Sequence, residues 1–164
     1  MSDLLQLLQE FYRDKLTALL RHEDGARFIG QYDVNNTYQY IINRDDTHLS
    51  WVGKAIADLG GAVPDGSTTG AANRTVSGTR DAAGHAVLEE DAREAREFVE
   101  RWKPRVEAMT NARHSKMLLV ILGEVLEQVR FFDQALAGRT DLLGRRADVL
   151  GPAYGEVLPT RWIE

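Results

Sequence analysis

Apolar residues recur every three or four positions along four stretches of this chain, and each recurrence predicts an amphipathic helix. In the first stretch Leu5, Leu8, Tyr12, Leu16 and Leu19 form one stripe, which predicts a helix over about 3–23 with Ser2 as its N-cap. "EDGARFIG" breaks the pattern, with Gly25 and Gly30 as turn residues. In the second stretch, over about 32–59, Tyr38, Ile41, Asp45, His48, Val52, Ala55 and Leu59 share one side, and "GGAVP" stops the helix. The third runs over about 87–110 with Ala95, Phe98, Trp102, Val106 and Met109 inward, and Pro104 predicts a kink or short break in it. The fourth, over about 112–137, contains "MLLVILGEVLEQVRFF" and ends at Gly138. It is apolar on nearly every side, which marks it as the central helix of a bundle. "AMTNARHSK" between the last two has no glycine, so one bent helix competes with two separate ones.

No alternating β pattern and no solenoid repeat is present, so the fold class is all-α: a four-helix bundle over 1–137 with an extended tail over 138–164. The tail has room for one helical turn at Asp141 to Arg146. The connection over about 61–86 contains "GSTTGAANRTVSGTRDAAG", which is small, polar and glycine-rich and reads as loop. Such a connection spans roughly 70–80 Å when extended, against roughly 40 Å for a bundle helix. The second and third helices can therefore run parallel, with the chain crossing the bundle between them.

Composition narrows the chemistry. The chain has 164 residues, 27% of them charged, and a net charge of −5, which argues against a nucleic-acid binder with a basic stripe. There is no cysteine, so thiolate metal sites, disulfides and cysteine nucleophiles are excluded. "MSDLLQLLQEFYRDK" lacks the basic region and apolar run of a signal peptide, and no apolar run is long enough to span a bilayer. The expected setting is cytoplasmic, without membrane or nucleic-acid partners. The expected assembly is a homo-oligomer, a dimer first.

Asp45 and His48 stand three apart on the apolar face of the second helix. A buried carboxylate needs a partner. His48 or an arginine supplies one in the plainest reading, and a solvated edge of the stripe removes the need in another. Glu124 and Glu127, again three apart, continue the stripe Val120, Glu124, Glu127 and Phe131 of the fourth helix, where they need cations, protons or a metal. If the first turn centres near 27–28, Glu10 is level with Asp45. If the second centres near 110–111, Glu94 is level with Glu127 and Glu97 with Glu124. One layer then gathers Glu10, Asp45, His48, Glu94, Glu124 and Glu127.

That layer, with "DDTHLSWVGKAIADLGGAVP", resembles the second helix and metal layer of the ferritin-like superfamily. The resemblance implies a core site for one or two iron or manganese ions. Asp45 takes the carboxylate place, His48 the imidazole place, and Glu124 is the matching carboxylate on the fourth helix. It implies ferrous oxidation or oxygen and peroxide chemistry, that is, an oxidoreductase. The second motif departs from the pattern, because Glu124-x-x-Glu127 ends without histidine. The alternative is a non-catalytic structural or stress-related bundle whose polar layer is a hydrogen-bonded network. A third reading, a three-histidine hydrolase or transferase site, would need His48 with His114 among only four histidines. Asn111-x-x-His114 also offers a second metal pair with its carboxylate lost, but His114 reads more simply as a histidine capping a helix near a bend.

Overall fold

The computed structural model describes residues 2–66, 76, 78–139 and 141–143. It contains four helices: α1 (Asp3–Ala26), α2 (Tyr32–Asp58), α3 (Arg80–Glu107) and α4 (Ala112–Leu136). No strand occurs among the described residues, and no helix among them is long and apolar enough to cross a membrane. Each helix begins on a side-chain cap. Ser2 accepts from the Leu5 amide at 3.2 Å, Gln31 from Val34 at 2.7 Å, Thr79 from Ala82 at 3.2 Å and Asn111 from His114 at 3.1 Å. Gly60 (φ 77°) and Gly138 (φ 88°) take the left-handed conformation just past α2 and α4.

Three boundaries differ from the pattern-based expectation. α3 begins at Arg80 rather than near 87, so "RDAAGHA" is helix and not loop. Thr79 caps it, and Gly84 lies where an added Cβ would stand 3.2 Å from the Phe28 carbonyl oxygen. The glycine thus serves close approach to the α1–α2 turn rather than a chain reversal. α1 runs through Gly25 to Ala26. Pro104 lies inside α3, which continues to Glu107 before Ala108 to Asn111 separate it from α4. There are two helices here, so the bent single helix is not formed. The expected tail lies almost wholly outside the described residues, as do 67–75 and 77 of the connection.

α1 packs broadly on α2 and α3 on α4, while the α1–α3 and α2–α4 seams are thinner. The start of α1 meets the end of α2: Gln9 Nε2 donates to the Ala62 carbonyl at 2.9 Å, and Leu5 packs on Gly61. At the other end, Gly30 of the α1–α2 turn touches Arg80 at the start of α3. The α1–α3 seam is closed by aromatic rings. Phe11 makes edge contacts with Phe98 at 5.4 Å and Trp102 at 5.0 Å. Trp102 Nε1 donates to Asp14 Oδ2 at 2.7 Å, and Arg101 Nε reaches the same oxygen at 3.0 Å.

The buried line of α1 is Leu8, Phe11, Lys15, Leu19, His22 and Ala26. It shares only Leu8 and Leu19 with the stripe expected from the apolar residues, and Leu5, Tyr12 and Leu16 are only half-buried. α4 is rotated as well. Leu118, Ile121, Leu122, Val125, Gln128, Val129, Phe131 and Phe132 face inward, whereas Val120 and Leu126 are exposed and α4 is not enclosed on all sides. Phe11→Ala should cost about 3–5 kcal/mol of stability through the cavity it leaves. Tyr32→Ala, at an exposed position, should stay within about 0.5 kcal/mol; equilibrium urea unfolding of both variants checks the contrast.

Candidate functional site

Asp45 is fully buried on α2, and three side chains from two other helices converge on it. Lys15 Nζ donates to Oδ1 at 2.5 Å, Gln128 Nε2 to Oδ1 at 3.0 Å, and His22 Nδ1 lies 2.5 Å from Oδ2. An ionised carboxylate only accepts, so His22 carries its proton on Nδ1. Lys15 is 1% exposed and Gln128 3%, and a lysine so deep requires a charge partner. Burial pushes the Asp45 carboxyl up. The charges of His22 and Lys15, with their hydrogen bonds, outweigh burial together and hold it well below the usual carboxylate range.

Around this centre the interior is aromatic and polar in alternation. The His22 ring lies 6.4 Å from Tyr38 and 5.6 Å from Phe132, and Lys15 Nζ stands 5.8 Å from the Phe98 ring centre. Tyr38 donates its hydroxyl to Asp91 Oδ2 at 2.6 Å, and Asp91 is itself buried on α3. All four helices therefore contribute a buried polar group to one layer.

A second cluster sits nearer the surface between α2 and α4. His48 Nε2 pairs with Glu124 Oε2, and Arg44 donates to Glu124 Oε1. Arg44 also lies over the Trp51 ring, 5.6 Å from its centre. Burial, then the positive charge of Lys15, push the His48 pKa down to about 4 against the raising effects of Glu124 and Asp45. Neutral His48 therefore donates Nε2–H to Glu124, which leaves Nδ1 as a buried acceptor with no protein partner among the described residues.

The six residues of the expected metal layer are not gathered into one site. His48 and Glu124 do meet. Asp45, one turn away on the same helix, turns to Lys15, His22 and Gln128. Glu10 accepts from Arg105 at 2.7 Å on an exposed seam, and that hydrogen bond holds its carboxyl below the usual range. Glu94 faces Arg21 at 3.7 Å and Arg93 at 3.5 Å. Glu127 is exposed and faces Arg130 at 3.4 Å. No group of three or more His, Asp or Glu side chains among the described residues is placed to hold a metal ion. The donor chemistry agrees: each oxygen of Asp45 and of Glu124 already faces a protein donor, which leaves His48 Nδ1 as the one uncommitted ligand atom of that set. The site does not fit a metal ion as it stands. His114 lies in the first turn of α4, with Nδ1 2.8 Å from the capping Asn111 Oδ1.

Lys15, His22, Gln128 and Asp91 were not singled out by the sequence pattern. The signal for two of them is the spacing Leu8, Phe11, Lys15, Leu19, His22, which is helical once the polar members are kept in the line. Gln128 has the same position among Val125, Val129 and Phe132.

Asp45→Asn leaves Lys15 uncompensated in the interior and should cost about 3–5 kcal/mol. The pH response follows from the two shifted groups. The Asp45 carboxyl is depressed, so its stabilisation is present above the ordinary carboxylate pKa of about 3.9 and is lost below it. His48 is held neutral, so the unfolded chain binds the extra proton between about 6.5 and the folded value of about 4. Stability should fall as pH drops through that window, with His48 contributing at most about 1.4 kcal/mol per pH unit. Urea midpoints between pH 7.5 and 4 should show the slope in the parent chain and a shallower one in His48→Gln. An equal slope in both would sink the assignment.

No family model, no curated protein and no solved structure matches this chain.

Proposed function

We propose that this chain is a metal-independent bundle of ferritin-like architecture, a non-catalytic structural or stress-related protein rather than a ferrous oxidase. One observation carries the reading: the Lys15 ammonium lies 2.5 Å from Asp45 Oδ1 inside the bundle. A covalently attached cation thus stands against the carboxylate that a metal ion would use. The His48–Glu124 pair and the layout of the helix ends support the ferritin-like part. α2 ends beside the start of α1, and α3 starts beside the α1–α2 turn, a layout that suits a bundle whose second and third helices run parallel. The benefit of such a layer is specificity. Lys15 satisfies Asp45 in one register of α1 on α2, and a slip of one turn would strand both charges.

Metal loading tests the reading. Protein purified without added metal should carry far less than one equivalent of iron, manganese or zinc by elemental analysis. Loaded anaerobically with ferrous iron and then exposed to air, it should show no oxidation above buffer. Uptake of one equivalent or more that Asp45→Asn abolishes would overturn the proposal and restore the di-iron reading.

A further inference from the structure

The buried layer is not closed. A lysine ammonium has three N–H donors. Lys15 spends one on Asp45, and its other two meet no protein acceptor among the described residues, although the residue is 1% exposed. Among the described residues Gln128 makes a single side-chain hydrogen bond, through Nε2, so its carbonyl oxygen and second N–H meet no partner there. Among the described residues His22 makes its one hydrogen bond through Nδ1. All three residues line one cavity of about 70 Å³ between α1, α3 and α4. That volume exceeds the space one water needs by several-fold. Ala95, Phe98 and Val125 supply apolar wall.

Unmatched donors on a buried ammonium are costly, so the cavity demands an occupant with acceptors. Charge decides which kind. On α1, Lys15 and Arg21 are the cations about His22; α2 brings Asp45, α3 brings Asp91, Glu94 and Arg101, and α4 brings only the neutral Gln128 and the Phe132 ring. With Asp14 at the mouth, the anions Asp14, Asp45, Asp91 and Glu94 equal in number the cations Lys15, His22, Arg21 and Arg101. The wall therefore has no excess charge to hold an ion of either sign, and a cation is also repelled by the ammonium it would have to face.

We propose that the cavity is a binding site for a small neutral primary carboxamide. Its carbonyl oxygen has two lone pairs for the spare donors of Lys15 and Gln128. Its N–H group suits the carbonyl oxygen of Gln128. Its alkyl end lies against Phe98 and Val125. The proposal rests on the metal-independent reading only in that Lys15, and not a metal ion, holds Asp45.

Acetamide is the probe, read by saturation-transfer NMR and calorimetric titration of the full chain. Acetate keeps the shape but adds charge, and acetone keeps the acceptor but lacks the N–H. Acetamide should bind saturably, with acetate and acetone at least tenfold weaker. Gln128→Leu leaves the Lys15–Asp45 pair in place and should weaken acetamide at least tenfold while far-UV circular dichroism stays unchanged. Lys15→Met should do the same if it folds, and Arg130→Ala, on the exposed face of α4, should bind as the parent does. Absent saturation, equal affinity for all three probes, or undiminished binding by Gln128→Leu would each overturn the site and leave a cavity that holds water only. Iron uptake by a chain that still binds acetamide would overturn the metal-independent reading alone.

Discussion

A single buried carboxylate organises the interior. Asp45 sits in the middle of α2 with no access to water, and an ionised carboxylate there is tolerable only because Lys15, His22 and Gln128 supply three donors. Those donors come from α1 and α4, the two helices that flank α2. The requirement that all three reach the same two oxygens is directional, unlike the apolar contacts around it. Leucine against isoleucine tolerates a small axial slide; an ammonium at 2.5 Å from its carboxylate does not. The register of α1 on α2, and of α2 on α4, is therefore set at this point and carried outward by packing.

α3 is tied to the same layer by a different device. Tyr38 and Phe132 bracket the His22 ring, and the Tyr38 hydroxyl reaches Asp91 on α3. Further along the α1–α3 seam, Asp14 takes both Trp102 Nε1 and Arg101, and Arg21 pairs with Glu90. These outer pairs are half-exposed and add little stability individually. Their value is in the edge they form around the cavity, because they hold charged side chains in pairs at its mouth. The cavity lies at the thin seam between α1 and α3, where the two helices approach each other over a shorter stretch than within either hairpin.

The architecture was legible because helical periodicity and capping chemistry act locally. Ser2 and Gly138 could be read directly, and so could the buried face of α2 down to Asp45 and His48, whereas the cap of α4 is Asn111 rather than His114. His48 and Glu124, expected as separate metal ligands, instead pair directly with each other. What escaped was the identity of Asp45's partners, for two physical reasons. The stripe of α1 was drawn through leucines and one tyrosine, which rotated the face and put Lys15 and His22 outside it. A long cationic side chain has a strong prior for the surface, and only a partner on another helix reverses it. The second reason is level. The α1–α2 turn extends over 27–31, further along than a centre at 27–28, so Asp45 meets residues of α1 nearer that turn than Glu10. The α3 start was missed because Gly84 and its small neighbours imitate a loop, while the feature that makes them helix, close approach to Phe28, is tertiary.

Lysine and a metal ion solve the same electrostatic problem with different consequences. A metal ion is exchangeable, so the stability it lends depends on its free concentration and on the protonation of its ligands. An ammonium on the chain is present whenever the chain folds, and its attraction to Asp45 needs no second component. It also brings a limitation. Ammonium directs three N–H bonds, whereas one carboxylate oxygen takes only one of them here. The interior therefore gains a fixed cation and, with it, two donors that meet no acceptor among the described residues. A bundle organised by a buried ammonium thus holds its central carboxylate with a covalent cation and keeps polar hydrogen-bonding capacity beside it.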